Sequence, residues 1–501
     1  MRWLLPILWL IAGSAFALRP GPAELYGDLF QQVQMRQVFP DGKDFVDCTP
    51  RRSPGEIRKD YEQHKDDRGF DLAAFVKENF ILPGGGETTP IRAHIDALWT
   101  LLERNASHVP EDGSLLPLPR PYVVPGGRFQ ELYYWDSYFV MLGLAESGRT
   151  ATLDDMVHDF AALIDRYGFI PNASRTYYLT RSQPPFFSLM LDLLARTRGP
   201  DVYRQYRPEL QKEYDFWMNE AGGHVAHVGD AVLNRYYDRD FTPREEEYRT
   251  DVLLAERSHR DHKTLFHEIR SAAESGWDFS SRWFADGKDR ATIRTTELVP
   301  VDLNCLLLHL EQTLANADGL AGDKAGAQRM EGLASRRKEA IDRLFWSPSA
   351  GWYVDYDSTA GRPASERTLA GMMPFFLDIA PKDRAEIAAR TLKEQFLQPG
   401  GVVTTDRRTG EQWDAPNGWA PLEWITIQGL RNYGQDALAA TIARRWIVLN
   451  LRVYRETGKL MEKYDVMNPT RPGGGGEYPT QDGFGWTNGV LLNLMDMYGT
   501  P

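Results

Sequence analysis

Asp278 stands between Trp277 and Phe279, inside the segment Glu274-Ser275-Gly276-Trp277-Asp278-Phe279-Ser280-Ser281-Arg282-Trp283. Apolar neighbours raise a carboxyl pKa and keep it protonated, as a general acid requires. The same residue at a helix start would serve as a cap for backbone amides, so two readings stand. Far downstream, Glu462 lies in Met461-Glu462-Lys463-Tyr464-Asp465, followed by Gly473-Gly474-Gly475-Gly476-Glu477-Tyr478 and Phe484-Gly485-Trp486. Four consecutive glycines are entropically costly, which suits either a lid over a ligand or a plain linker. Acids this far apart in sequence offer no measure of their separation in space.

Two further strings are dense in aromatic, acidic, Gly and Pro residues. One runs from Pro125 to Tyr138, PGGRFQELYYWDSY, and the other from Gln412 to Pro421, QWDAPNGWAP. Trp presents a flat apolar face to a sugar ring, and Arg, Asp and Gln bond hydroxyls. Arg128 offers a rigid donor fork and Asp136 accepts from vicinal hydroxyls, although a buried salt bridge with aromatic packing explains the same residues. Asn172, Arg181 and Gln183 continue the style beside Pro171, Pro184 and Pro185. The pairs His224/His227 and His259/His262 have a ligand-like spacing. No HExxH string accompanies them and their segments are charged and read as solvated, so no metal site is expected.

The elements that must hold these groups are mainly helical. Leu153, Met156, Val157, Phe160, Leu163 and Ile164 fall on one helical face, as do Leu303, Leu306, Leu307, Leu310 and Leu314. Leu438, Ile442, Trp446 and Leu449 repeat the pattern. Strand-like alternation is scarce; a hairpin is expected at Trp346 to Asp357, around Ser-Pro-Ser-Ala-Gly. No βαβ alternation occurs, which argues against doubly wound and α/β-barrel folds. The pattern alone reaches an all-α fold with elaborate loops and short hairpins.

Composition narrows the class. The 501 residues are 42% hydrophobic and 12% aromatic, ample for a large core, and the net charge of −12 disfavours a nucleic-acid partner. Met1 to Ala17 reads as a secretory signal, with Arg2, an apolar run and Ala15-Phe16-Ala17 as a cleavage site. No other stretch reads as a membrane span, so no stable membrane insertion is expected once the signal is removed. Residues 18 to about 90 read as an irregular arm, with Pro83-Gly84-Gly85-Gly86 as a hinge or turn. Cys48 and Cys305 exclude a cysteine-based zinc site by number, and whether they pair is open. Asn105-Ala106-Ser107 and Asn172-Ala173-Ser174 match the glycosylation pattern.

Taken together, the Pro125 and Gln412 strings resemble the two signatures of the trehalases of glycoside hydrolase family 37. That resemblance implies an (α/α)6 barrel, or toroid, whose long loops form an active-site funnel, with 18–501 as one catalytic domain. It implies that the GWDFSSRW-like string carries the general acid, Asp278, and the EKYD-like string the base, Glu462. It places Arg128, Trp135, Asp136, Asn172, Arg181, Ser182, Gln183, Arg244, Glu246, Gly276 and Glu477 on the sugar, with Trp413 and Trp419 as pocket walls. The family's RPE string is here Arg244-Glu245-Glu246, and its PNGNR string is Pro171-Asn172-Ala173-Ser174-Arg175. The implied reaction is hydrolysis of α,α-trehalose to two glucose molecules with inversion and without a cofactor. Another inverting α-glucosidase of the same fold, or a catalytically silent sugar-binding protein, are the alternatives. The expected setting is a monomer in a bacterial periplasm.

Overall fold

The computed structural model describes residues 20–39, 41–81 and 89–500. The expected signal segment and the Pro83 to Gly86 hinge lie outside the described residues. The chain divides into two compact units, one comprising residues up to Thr89 with Arg455–Gly458, the other Pro90–Tyr454 with Lys459 onward. The smaller unit has its own core of Tyr26, Leu29, Phe45, Ile57, Tyr61 and Phe80. Its helix Pro54–His64 begins with a reciprocal capping box between Ser53 and Glu56.

In the larger unit, helices alternate between two kinds. Thr150–Tyr167 buries the face spelled by Leu153, Met156, Val157, Phe160, Leu163 and Ile164 and exposes the other. By contrast, Tyr134–Glu146 is buried continuously from Tyr134 to Leu144, and Ala420–Asn432 from Ala420 to Ile427. A helix that is apolar all round belongs inside, and one with a single apolar stripe belongs outside. The inner helices are Tyr134–Glu146, Phe187–Arg198, Val301–Ala321, the short Met373–Phe376, Ala420–Asn432 and Gly485–Tyr498. Each packs on the next in chain order, and the last returns to the first, closing a ring of six. Between and before them run Ile91–Leu102, Thr150–Tyr167, Arg207–Trp217, Lys324–Leu344, Lys382–Gln395 and Asp436–Thr457. This is the (α/α)6 barrel.

Ring closure depends on two glycines. A Cβ at Gly143 would sit 2.5 Å from the Cα of Gly489, and a Cβ at Gly489 would collide with the Phe139 carbonyl oxygen. The first and sixth inner helices therefore cross backbone to backbone. Gly489→Ala is expected to destabilise the protein by about 1–3 kcal/mol through overpacking, read as a lowered melting temperature. An unchanged melting temperature would mean that the crossing relaxes freely.

Strands are short, as the sequence suggests. Trp346–Ser347 pairs antiparallel with Trp352–Tyr353, at the expected hairpin. A second pairing matters more for the site: Asn417–Trp419 runs antiparallel to Lys463–Asp465, with Trp419 opposite Lys463. It joins the Gln412 string to the Glu462 string. Both cysteines are free thiols, Cys305 in the core and Cys48 half-buried.

Candidate active site

The strings singled out in the sequence lead into the amino ends of inner helices. The Pro125 string enters Tyr134–Glu146, Arg181 to Phe186 enters Phe187–Arg198, and the Gln412 string enters Ala420–Asn432. The Asp278 segment precedes Val301–Ala321, and the Glu462 string precedes Gly485–Tyr498. Inner helices separated by outer returns point the same way, so these loops gather at one end of the barrel. There they enclose a cavity of about 240 Å³. Arg128, Trp135, Asp136, Asn172, Arg181, Gln183, Arg244, Glu246, Gly276, Asp278, Glu462 and Glu477 all line it, together with Trp413 and Trp419.

Ser182 is the exception. Its hydroxyl donates to the Ile170 carbonyl at 2.6 Å and its amide donates to Glu274 at 2.8 Å. It ties the Arg181–Gln183 turn to the core while its neighbours reach the cavity. Glu245, standing where the family has Pro, pairs with Arg270 at 3.4 Å and leaves Arg244 and Glu246 on the cavity wall. His224 departs from the solvated setting inferred for it. It is fully buried, with Nε2 3.1 Å from Glu274. The Asn172 glycosylation match is buried too.

About a third of the Asp278 side chain is open, on the cavity side. Burial pushes its carboxyl up to about 7, with Arg244 pulling down and Glu477 pushing further up. Arg244 Nη1 lies 4.0 Å from Asp278 Oδ2. Burial also drives Asp136 far above the ordinary carboxylate range, with Glu462 and Asp278 adding to it. Asp136 Oδ2 has no hydrogen-bond partner among the described residues.

The carboxylates that face arginines behave oppositely. Burial raises Glu246, but Arg181 and Arg244 outweigh it and hold the carboxyl below its ordinary value. Burial likewise raises Glu477, and Arg244 and Arg290 bring it below. Arg181 donates to Glu246 at 2.6 Å and Asp238 at 3.3 Å. Arg244 binds Asp251 through Nη2 at 2.7 Å and Nε at 3.0 Å, and Glu477 at 2.9 Å. These fixed forks present oriented donors without further ordering.

Glu462 is buried and carries two strong partners. Lys463 Nζ donates to Oε2 at 2.9 Å and the Tyr478 hydroxyl donates to Oε1 at 2.9 Å. Trp486 Nε1 holds its backbone carbonyl at 2.9 Å. The loop carrying Asp278 is clamped by the second signature. Gln412 Nε2 donates to the Asp278 carbonyl at 2.7 Å, and Trp413 N donates to the Phe279 carbonyl at 3.1 Å. Asp414 accepts from Ser280 Oγ, Ser281 Oγ and Ser281 N at 2.8–2.9 Å. Arg282 anchors the loop below, bidentate to both Asp302 and Asp355.

Tryptophans form the apolar wall. Trp413 and Trp419 stack at 3.9 Å with rings 2° apart, and Trp277 stacks on Trp413 at 5.5 Å. Gly276 has φ +73°, and a Cβ there would lie 2.9 Å from the Trp135 ring. Only glycine meets both the left-handed backbone and the contact. The Gly473–476 run is held down by two bonds, with Asn417 Nδ2 donating to the Gly474 carbonyl at 2.6 Å and Gly476 N to that of Gly410 at 3.2 Å.

Several site residues escape the sequence reading. Glu247 lines the cavity and pairs with Arg128 at 3.1 Å. Tyr478 lines it between Glu462 and the Arg128 guanidinium, which lies 4.9 Å from its ring. Lys463, Asp238, Asp251 and Arg290 act behind the wall. All but Asp238, Asp251 and Arg290 adjoin residues already singled out, which is the one signal that could have found them.

Comparison with known proteins identifies the family. A family model described as Trehalase matches residues 37–499. A periplasmic trehalase of Pseudomonas aeruginosa is 51% identical over 494 residues, covering 95% of this chain and 90% of the relative. One of Salmonella agona is 48% identical, covering 95% and 86%. Among solved structures, neutral trehalase Nth1 from Saccharomyces cerevisiae aligns with a TM-score of 0.63 and 27% identity, over 75% of this chain and 73% of that one. A GH63 mannosylglycerate hydrolase from Thermus thermophilus shares the fold, with a TM-score of 0.53 and 19% identity over 80% of this chain and 99% of its own. On the sequence match over nearly its whole length, the chain belongs to the trehalase family, glycoside hydrolase family 37.

Proposed function

We propose that this glycoside hydrolase cleaves α,α-trehalose to two glucose molecules with inversion, using Asp278 as general acid and Glu462 as general base. One observation carries the reading. One cavity holds a carboxyl pushed up to about 7 and a second carboxyl fastened between a lysine and a tyrosine hydroxyl. A raised acid and a second carboxyl held by two fixed donors supply the pair of groups that acid–base hydrolysis of a glycosidic bond requires. Asp278 donates its proton to the bridging oxygen as the anomeric C–O bond breaks. Glu462 removes a proton from the water that attacks the opposite face of that carbon. The leaving glucose keeps its α configuration and the attacked one becomes β. Glu246, Arg181 and Arg244 receive hydroxyls, and Asp136 contributes a neutral carboxyl that can both donate and accept.

A proton donor and an activated water suffice, so the reaction needs no cofactor. The Pro90–Tyr454 and Lys459 onward unit carries every residue invoked. The relatives' names support a periplasmic setting, and no helix among the described residues is long and apolar enough to cross a membrane.

Glucose release from α,α-trehalose, maltose and sucrose tests the substrate. Trehalose is expected to exceed the others by about 10²-fold or more in kcat/KM, because hydroxyls placed differently miss the fixed donors and acceptors of the cavity wall. Comparable turnover of maltose would mean a broader α-glucosidase.

A further inference from the structure

Lys463 is fully buried, and its ammonium makes one ion pair among the described residues, with Glu462. Two of its three N–H groups make hydrogen bonds. One bonds Glu462 Oε2 at 2.9 Å and another bonds Gln412 Oε1 at 3.0 Å. The ammonium also lies 5.0 Å from the Trp419 ring centre and 4.9 Å from that of Tyr478. A buried cation with one counter-charge makes that counter-charge obligatory, because an unpaired ion in the interior is strongly disfavoured. The cross-strand register places Lys463 opposite Trp419, so neither partner is free to drift. Tyr478 completes the cradle from the glycine-rich segment. Its hydroxyl donates to Glu462 Oε1, and burial, with Glu462 and Asp278 adding, keeps it a donor by raising it well above the ordinary phenol range.

We propose that Lys463 and Tyr478 are the positioning pair of the base, giving Glu462 its counter-charge and fixing both of its carboxyl oxygens in the cavity wall. The proposal rests on the acid–base reading above. The titratable groups facing Glu462 are Lys463 beside it, Tyr478 from the glycine-rich segment, and the Asp136 and Asp278 carboxyls lining the same cavity. The backbone amide of Gln481 adds a longer bond at 3.4 Å. Among these the lysine is the only cation in contact with the carboxylate. Gln412 extends the device, since it accepts from Lys463 and donates to the Asp278 carbonyl, linking base and acid loop through one amide.

The test is the dependence of kcat/KM for trehalose on pH, across about pH 4 to 9, in wild type, Lys463→Met, Lys463→Arg and Tyr478→Phe. Lys463→Met is expected to move the acidic limb to higher pH by about one unit or more, leaving the basic limb in place. Lys463→Arg, which keeps the charge, is expected to hold the acidic limb near its wild-type position even where kcat falls. Tyr478→Phe keeps the ring and its packing, and should move the acidic limb the same way by less, with a melting temperature near wild type. If Lys463→Met does not fold, Tyr478→Phe decides. A profile lowered in height but unmoved along the pH axis in both variants would overturn the proposal, since merely structural residues act that way. Failure of the underlying acid–base reading is distinguishable, because Glu462→Gln would then keep turnover close to wild type, or wild type would release α-glucose alone at early times.

Discussion

Asp278→Asn is expected to lower kcat on trehalose by about 10³-fold while the sugar still binds, because the amide preserves the shape and removes the proton. In the wild type, kcat/KM should fall as pH rises through about 7, where the Asp278 carboxyl loses that proton. The same substitution has an expected effect on stability. Burial raises Asp278 above its unfolded value, so the native state holds more protons than the unfolded state between about pH 4 and pH 7. Stability from this group is complete below that window and is lost as pH rises through it. Asp278→Asn does not titrate, so its melting temperature should overtake that of wild type progressively across the window and stay above it at higher pH. A catalytic group that weakens the fold is the trade expected at an active site. Turnover close to wild type in Asp278→Asn would remove Asp278 from the acid role.

Glu462→Gln should be as inactive, yet for the fold it should act in the opposite direction. Removing the carboxylate leaves the Lys463 ammonium buried beside an amide, with no other ion pair among the described residues. Breaking a buried pair from one side costs about 3–5 kcal/mol, so the melting temperature should drop at neutral pH. Two variants with equal loss of turnover and opposite shifts in stability would therefore show that the two carboxyls sit in opposite electrostatic surroundings. A Glu462→Gln protein as stable as wild type would mean that Lys463 finds another partner or sheds its proton.

Legibility in the sequence followed the physics of each element. Thr150–Tyr167 could be read because one face is wet, which writes a period of 3.6 into its residues. Tyr134–Glu146 and Gly485–Tyr498 could not be read that way, since burial on all sides erases the contrast. Of the six, Val301–Ala321 still showed a periodic apolar face, but the closure of the ring came only through the family resemblance. The hairpin at Trp346 was legible because a local turn encodes it. In the site, aromatic-flanked Asp278 carried its own signal. Arg244 and Glu477 meet at 2.9 Å across 233 positions of sequence, and no local pattern announces that meeting. Ser182 is turned from the cavity because a turn that points Arg181 and Gln183 at it points the residue between them elsewhere. His224 looked solvated from its charged neighbours, while its ring fills the core against Trp217 at 4.8 Å.

The central claim is that one carboxyl protonates the bridging oxygen while the other activates water on the far side. Proton NMR of the wild-type protein with α,α-trehalose, following the anomeric signals before mutarotation, tests it most directly. Equal early amounts of α- and β-glucose are the predicted result. Early release of α-glucose alone would mean retention through a covalent intermediate and would contradict the roles assigned to Asp278 and Glu462.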